Sequence, residues 1–166
     1  CNVFRLAMYT ADYNGYCTAD DKQKKTLKEL IDTGVKAAVE QDMYVIIDWH
    51  ILSDNNPNTY KDEAKKFFEE MAKKYKDVPN VIYEICNEPT GSDWKTVIKP
   101  YAEEVLGTIR TYHEDAIVLV GTNTWSQDVD AVVGNQIDDP NVMYVAHFYA
   151  ATHGESYRNK VLTAIN

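Results

Sequence analysis

The chain has 166 residues, 45% of them hydrophobic, and a formal net charge of -9. That length suits one domain with its own core, and the acidic balance disfavours nucleic acid and anionic membranes as partners. No run reaches the roughly 18 apolar residues of a membrane span, and no charged segment followed by an apolar one marks a secretory leader.

Val3 to Met8 is the first expected strand, an apolar run interrupted by Arg5. From about Asp20 to Gln41, Leu27, Leu30, Ile31, Val35, Ala38 and Val39 recur at helical spacing, with Asp20 or Asp21 as the N-cap. Tyr44 to Trp49 is apolar on both faces, as parallel strands covered on both sides are. A polar loop around Pro57 leads to a second helix carrying Ala64, Phe67, Phe68, Met71, Ala72 and Tyr75. Asn80 to Cys86 is the third strand. A third helix is expected from about Trp94 to Tyr112. Ile117 to Gly121 and Val142 to Ala146 are the fourth and fifth strands, with at most a short helix at Gln127 to Val133 between them. Ser156 to Ile165 starts another helix.

Five strands alternating with helices predict a parallel α/β sheet, either doubly wound or a (β/α)₈ barrel. No GxGxxG follows the first strand, and no Walker A motif is present. No linker divides residues 1–166, so one domain is expected. The three cysteines, Cys1, Cys17 and Cys86, form no CxxC pair and no disulfide framework. A Cys1–Cys17 pairing stays open. Asp54-Asn55-Asn56-Pro57-Asn58 resembles a calcium loop but lacks its glycine and terminal glutamate, Thr59 and Lys65 standing there instead. No metal or other cofactor is expected.

Each strand turns polar or aromatic at its C-terminal end: Tyr9-Thr10, Asp48-Trp49-His50, Asn87-Glu88-Pro89, Asn123-Thr124-Trp125 and His147-Phe148-Tyr149. In a parallel barrel these ends converge on one mouth, where active sites lie. Trp and Tyr offer flat apolar faces to sugar C–H groups, and Asn, His and Tyr hydrogen-bond hydroxyls. Glu88 is the carboxylate expected to point into the mouth, and Asp48 is expected to orient a neighbour. Strict alternation puts Asn87 and Glu88 on opposite faces, so both reach one ligand only if the backbone bulges. Arg5, a charge in an apolar run, needs a buried partner, and Glu84 is a candidate. Trp49 points away from His50 and reads as packing. Tyr9 and Trp125 read as stacking platforms, and Trp94 as either platform or packing.

Val81-Ile82-Tyr83-Glu84-Ile85-Cys86-Asn87-Glu88-Pro89 resembles the fourth strand of glycoside hydrolase family 5. Phe4-Arg5, Ile47-Asp48-Trp49-His50, Gly121-Thr122-Asn123-Thr124-Trp125-Ser126-Gln127 and His147-Phe148-Tyr149 resemble its second, third, fifth and sixth strand tips. The resemblance implies an incomplete (β/α)₈ barrel, about strands two to six, lacking strands one, seven and eight. It implies a retaining hydrolase of β-1,4-glucan, of the endoglucanase (cellulase) type, with Glu88 as acid/base and the nucleophilic glutamate outside the chain. Asn87 would bond the sugar 2-hydroxyl, Arg5 and Tyr149 would support the nucleophile, and His50, His147, Tyr9 and Trp125 would line the substrate path. A monomer acting outside cells on a β-glucan follows from the family. Mannan or xyloglucan hydrolysis, or a carbohydrate-binding relic without turnover, are the alternatives.

Overall fold

The computed structural model describes residues 1–166. Five strands, β1 (Val3–Tyr9), β2 (Tyr44–His50), β3 (Val81–Glu84), β4 (Val118–Val120) and β5 (Val142–Tyr144), form one sheet in that order, every neighbouring pair parallel. A doubly wound sheet reverses its strand order at a switch point. This one does not, and its helices cover one face, as in a barrel wall. The fold is an incomplete (β/α)₈ barrel.

Helix α1 (Asp21–Glu40) starts where the Asp20 side chain accepts the Gln23 amide, satisfying one of the free N–H groups of the first turn. It lays Ile31, Val35 and Ala38 on the sheet. Helix α2 (Lys61–Tyr75) buries Phe67, Phe68 and Met71, and α3 (Lys99–Arg110) buries Tyr101, Val105 and Ile109. Against them the strands set Val45, Ile47 and Trp49, Val81 and Tyr83, and Val118 and Val120, all buried. Trp49 is packing, as expected, with its ring 5.2 Å from that of Phe67. The other sheet face is more open: Ile46, Ile82 and Leu119 are half-buried and Met143 is exposed. This is the face a closed barrel would turn inward.

Two segments depart from the sequence pattern. The third helix opens with a π-helical turn, Trp94–Ile98, because Pro100 has no N–H to continue the ladder and the Lys99 amide reaches back to the Trp94 carbonyl instead. Trp94 itself is buried packing, its indole N–H donating to the Asn135 carbonyl. Between β4 and β5, the expected helix at Gln127 to Val133 is a 3₁₀ turn, Val129–Val132, preceded by a left-handed turn at Asn123–Ser126. The last helix, α4 (Glu155–Ile165), buries no residue. The three cysteines are free, so Cys1 and Cys17 are not paired. No helix is long and apolar enough to cross a membrane.

Candidate active site

The register places Ala7, Asp48, Glu84 and Leu119 side by side across four strands. Arg5 lies two residues before Ala7, whose methyl side chain leaves the guanidinium room to reach this row. Its Nε donates to Glu84 Oε2 at 2.7 Å and its Nη2 to Glu84 Oε1 at 2.9 Å. Asp48 Oδ2 lies 2.9 Å from the same Nη2. Burial disfavours the Arg5 charge, but the Glu84 hydrogen bonds and the two carboxylates outweigh it and hold the guanidinium protonated.

Asp48 also accepts from His50 Nδ1 at 2.6 Å. With Nδ1 turned to Asp48, Nε2 faces the Asn87 amide nitrogen at 3.3 Å. Asp48 orients its neighbour, as expected. Burial pushes its carboxyl up to about 6, opposed by the His50 hydrogen bond and the Arg5 charge and aided by Glu84. Its Oδ1 has no partner, which leaves the anion poorly solvated.

β3 loses its regular pleat after Glu84. Glu84 and Asn87, three residues apart, both meet Arg5, which strict alternation forbids. The break lets Glu88 turn towards β5, where its Oε1 lies 2.8 Å from His147 Nδ1. Glu88 and His147 share a shallow pocket of 280 Å³ with Leu52, Trp125, Gln127 and Tyr149. A larger cavity of 580 Å³ lies against α4 and touches His147 but neither Glu88 nor Trp125, so the chemistry is assigned to the smaller one.

Of the residues singled out by sequence, Glu88, Trp125, His147 and Tyr149 meet around one pocket, with Tyr149 71% exposed at its rim. His50, Asn87 and Arg5 form the adjoining network, and Tyr9 joins it with its ring centroid 4.4 Å from that of His50. Asn87 is buried, with its Oδ1 accepting from Arg5 and its Nδ2 donating to the Ile51 carbonyl at 3.0 Å. Of the other pocket residues, Leu52 is not singled out by sequence, and Gln127 only as the last residue of the fifth-strand tip, since neither carries a periodic signal. Asp54 accepts from the Thr10 hydroxyl and the Leu52 amide and so closes the β2–α2 connection.

The family model described as cellulase (glycosyl hydrolase family 5) matches residues 1–165. The chain belongs to glycosyl hydrolase family 5. It is 53% identical over 165 residues to endoglucanase A of Butyrivibrio fibrisolvens, covering 99% of this chain and 38% of that protein. It is 55% identical over 166 residues to endoglucanase A of Evansella cellulosilytica, covering 99% and 33%. The chain therefore spans about a third of the length of the curated relatives it matches. Among solved structures, the catalytic domain of Thermobifida fusca endoglucanase Cel5A superposes with a TM-score of 0.90 at 36% identity, over 99% of this chain and 54% of that one. A variant of that family 5 domain is known in complex with cellotetraose.

Proposed function

We propose that these 166 residues are one partial catalytic barrel carrying the acid/base half of a β-1,4-glucan hydrolase site. The observation that carries the reading is Glu88, held 2.8 Å from His147 Nδ1 in a pocket walled by the half-exposed Trp125. Family membership and the cellotetraose complex of a relative support a glucan over other ligands.

In a double displacement, one carboxyl group protonates the leaving oxygen and then activates water, while a second about 5 to 5.5 Å away attacks the anomeric carbon. Glu88 takes the first role. Asp48 and Glu84 are buried and engaged with His50 and Arg5, so neither is free to attack. The nucleophile is assigned to a residue outside these 166. In this reading Arg5, steadied by Glu84, and Tyr149, at the pocket rim, support it. His147 orients Glu88, His50 and Asn87 border the sugar beside it, and Trp125 and Tyr9 stack on sugar faces. No cofactor enters this chemistry. The protein acts as a monomer outside the cell, where a polymeric β-glucan lies.

The test uses cellotetraose with two polypeptides: the 166-residue chain and a longer one supplying the closing strands of a family barrel. The short chain is expected to bind without turnover. The longer one is expected to hydrolyse, and Glu88→Gln should lower its kcat by about 10²- to 10⁴-fold. Preference for mannan or xyloglucan oligosaccharides would move the substrate assignment. Binding without turnover in the longer polypeptide would overturn the reading in favour of a carbohydrate-binding relic.

A further inference from the structure

The turn after β4 is built in a conformation that costs energy. Thr124, Trp125 and Ser126 are three successive non-glycine residues with φ of 55°, 56° and 59°. Left-handed backbone costs an L-residue roughly 1–2 kcal/mol, and a β-branched or bulky residue is least suited to it. Such strain persists where the surroundings over-determine it.

Two sets of contacts do so. On one side, the turn is tied to the neighbouring strand tips. The Ser126 hydroxyl donates to the Asn87 carbonyl at 2.5 Å, the Trp125 amide to the Pro89 carbonyl at 3.0 Å, and the His147 amide to the Ser126 carbonyl at 2.8 Å. On the other side stands Asp128. Its Oδ2 accepts from Asn123 Nδ2 at 2.9 Å and from the Thr124 hydroxyl at 2.5 Å, and its Oδ1 is paired with Lys160 of α4. Asp128 does not line the Glu88 pocket, so its contacts act on the turn and not on a ligand. The Lys160 ammonium is held in its charged form by this hydrogen bond.

We propose that Asp128 and Lys160 are a positioning pair: by holding the left-handed turn they fix Trp125 beside Glu88 and set how tightly a glucan chain is gripped. The grip on glucan rests on the function proposed above. The hold on Trp125 does not.

Tryptophan fluorescence separates the two. Trp49 and Trp94 are 0% and 2% exposed, whereas Trp125 is 46% exposed, so acrylamide quenching reads Trp125. In the full chain, Asp128→Ala and Lys160→Met should each red-shift the emission and raise the quenching constant. Cellotetraose should bind about tenfold more weakly to both, as expected for loss of a charged hydrogen bond. Lys160→Arg, which keeps the cation, should restore both readouts. Lys160 is one-third exposed, so its variants keep the test open if Asp128→Ala does not fold. The proposal is overturned if quenching or cellotetraose affinity stays at the wild-type value in both variants, whatever happens to the melting temperature. If the wild-type chain binds no cellotetraose, the glucan reading fails, and quenching alone decides whether the pair positions Trp125.

Discussion

Arg5 and Glu84 are 79 positions apart in sequence and two strands apart in the sheet, yet they meet in a two-armed ion pair at 2.7 and 2.9 Å. The guanidinium offers two parallel donors to the carboxylate, a geometry that an ammonium cannot reproduce. Arg5→Ala should therefore leave Asp48 and Glu84 buried with no cation between them. A loss of about 3 kcal/mol is expected, read by urea denaturation. Arg5→Lys should recover only part of it, because one point charge replaces the fork. A full recovery by lysine would show that charge alone matters.

The raised carboxyl of Asp48 sets a pH dependence of stability. Its folded-state value of about 6 lies above the roughly 3.9 of an unfolded aspartate. Between those values the native state binds the extra proton, so this group's contribution to stability falls as pH rises from about 4 to about 6. Chemical denaturation across that interval should show the stability of the wild type, relative to that of Asp48→Asn, decreasing as pH rises, because every other titrating group is common to both. Parallel curves would mean that Asp48 does not titrate there.

Gly121 stands where β4 passes closest to the end of β3. A Cβ placed on it would lie 2.1 Å from the Cys86 carbonyl oxygen and 2.6 Å from the Ser126 hydroxyl. Gly121→Ala should cost roughly 1–3 kcal/mol through forced backbone movement and shift the emission of the adjoining Trp125 turn. Gly107, in the exposed middle of α3, has nothing within 4 Å of where an alanine methyl would stand. Gly107→Ala should raise stability by about 0.5–1 kcal/mol, since alanine loses less freedom in a helix. Differential thermal melts of the two variants compare a crowded glycine with a free one.

The thiols should react in a graded order. Cys1 is exposed, burial pushes the Cys17 thiol up to about 12, and Cys86 is fully buried and held well above the usual thiol range. Only the thiolate attacks a disulfide reagent. Titration with an aromatic disulfide at mildly alkaline pH should find one fast thiol in the native chain and all three after unfolding. No fast thiol at all under reducing-agent-free conditions would mean that Cys1 is blocked or paired in solution.

Much of the fold is legible in the sequence because β and α periodicities are local. The Asp20 cap, the two-faced apolar run of β2 and the Phe67–Phe68–Met71 face of α2 each announce themselves within a few residues. The strand-end tips are legible for the same reason, since a parallel sheet carries every C-terminal end to one side. The widened turn at Trp94 is not legible, because a lone proline at position 100 does not say whether a helix breaks, bends or widens. Nor is the turn at Trp125, because Thr124, Trp125 and Ser126, the residues that adopt left-handed backbone there, are not types that favour it.

The sequence by itself determined an alternating β/α chain, its helix-facing core and the side chains gathered at the strand tips. Whether those strands lie in sequential order is undecided by local pattern and is settled by the order β1 to β5. The strand-tip pattern already sets Glu88 apart from Asp48 and Glu84, but the partners come from tertiary contacts alone: Glu84 is bound by Arg5, Asp48 by both Arg5 and His50, and Glu88 is turned towards His147. The reason is physical: periodicity records which face of an element is buried, whereas the partner of a buried charge, and the contacts that outweigh a strained turn, come from strands far apart in sequence.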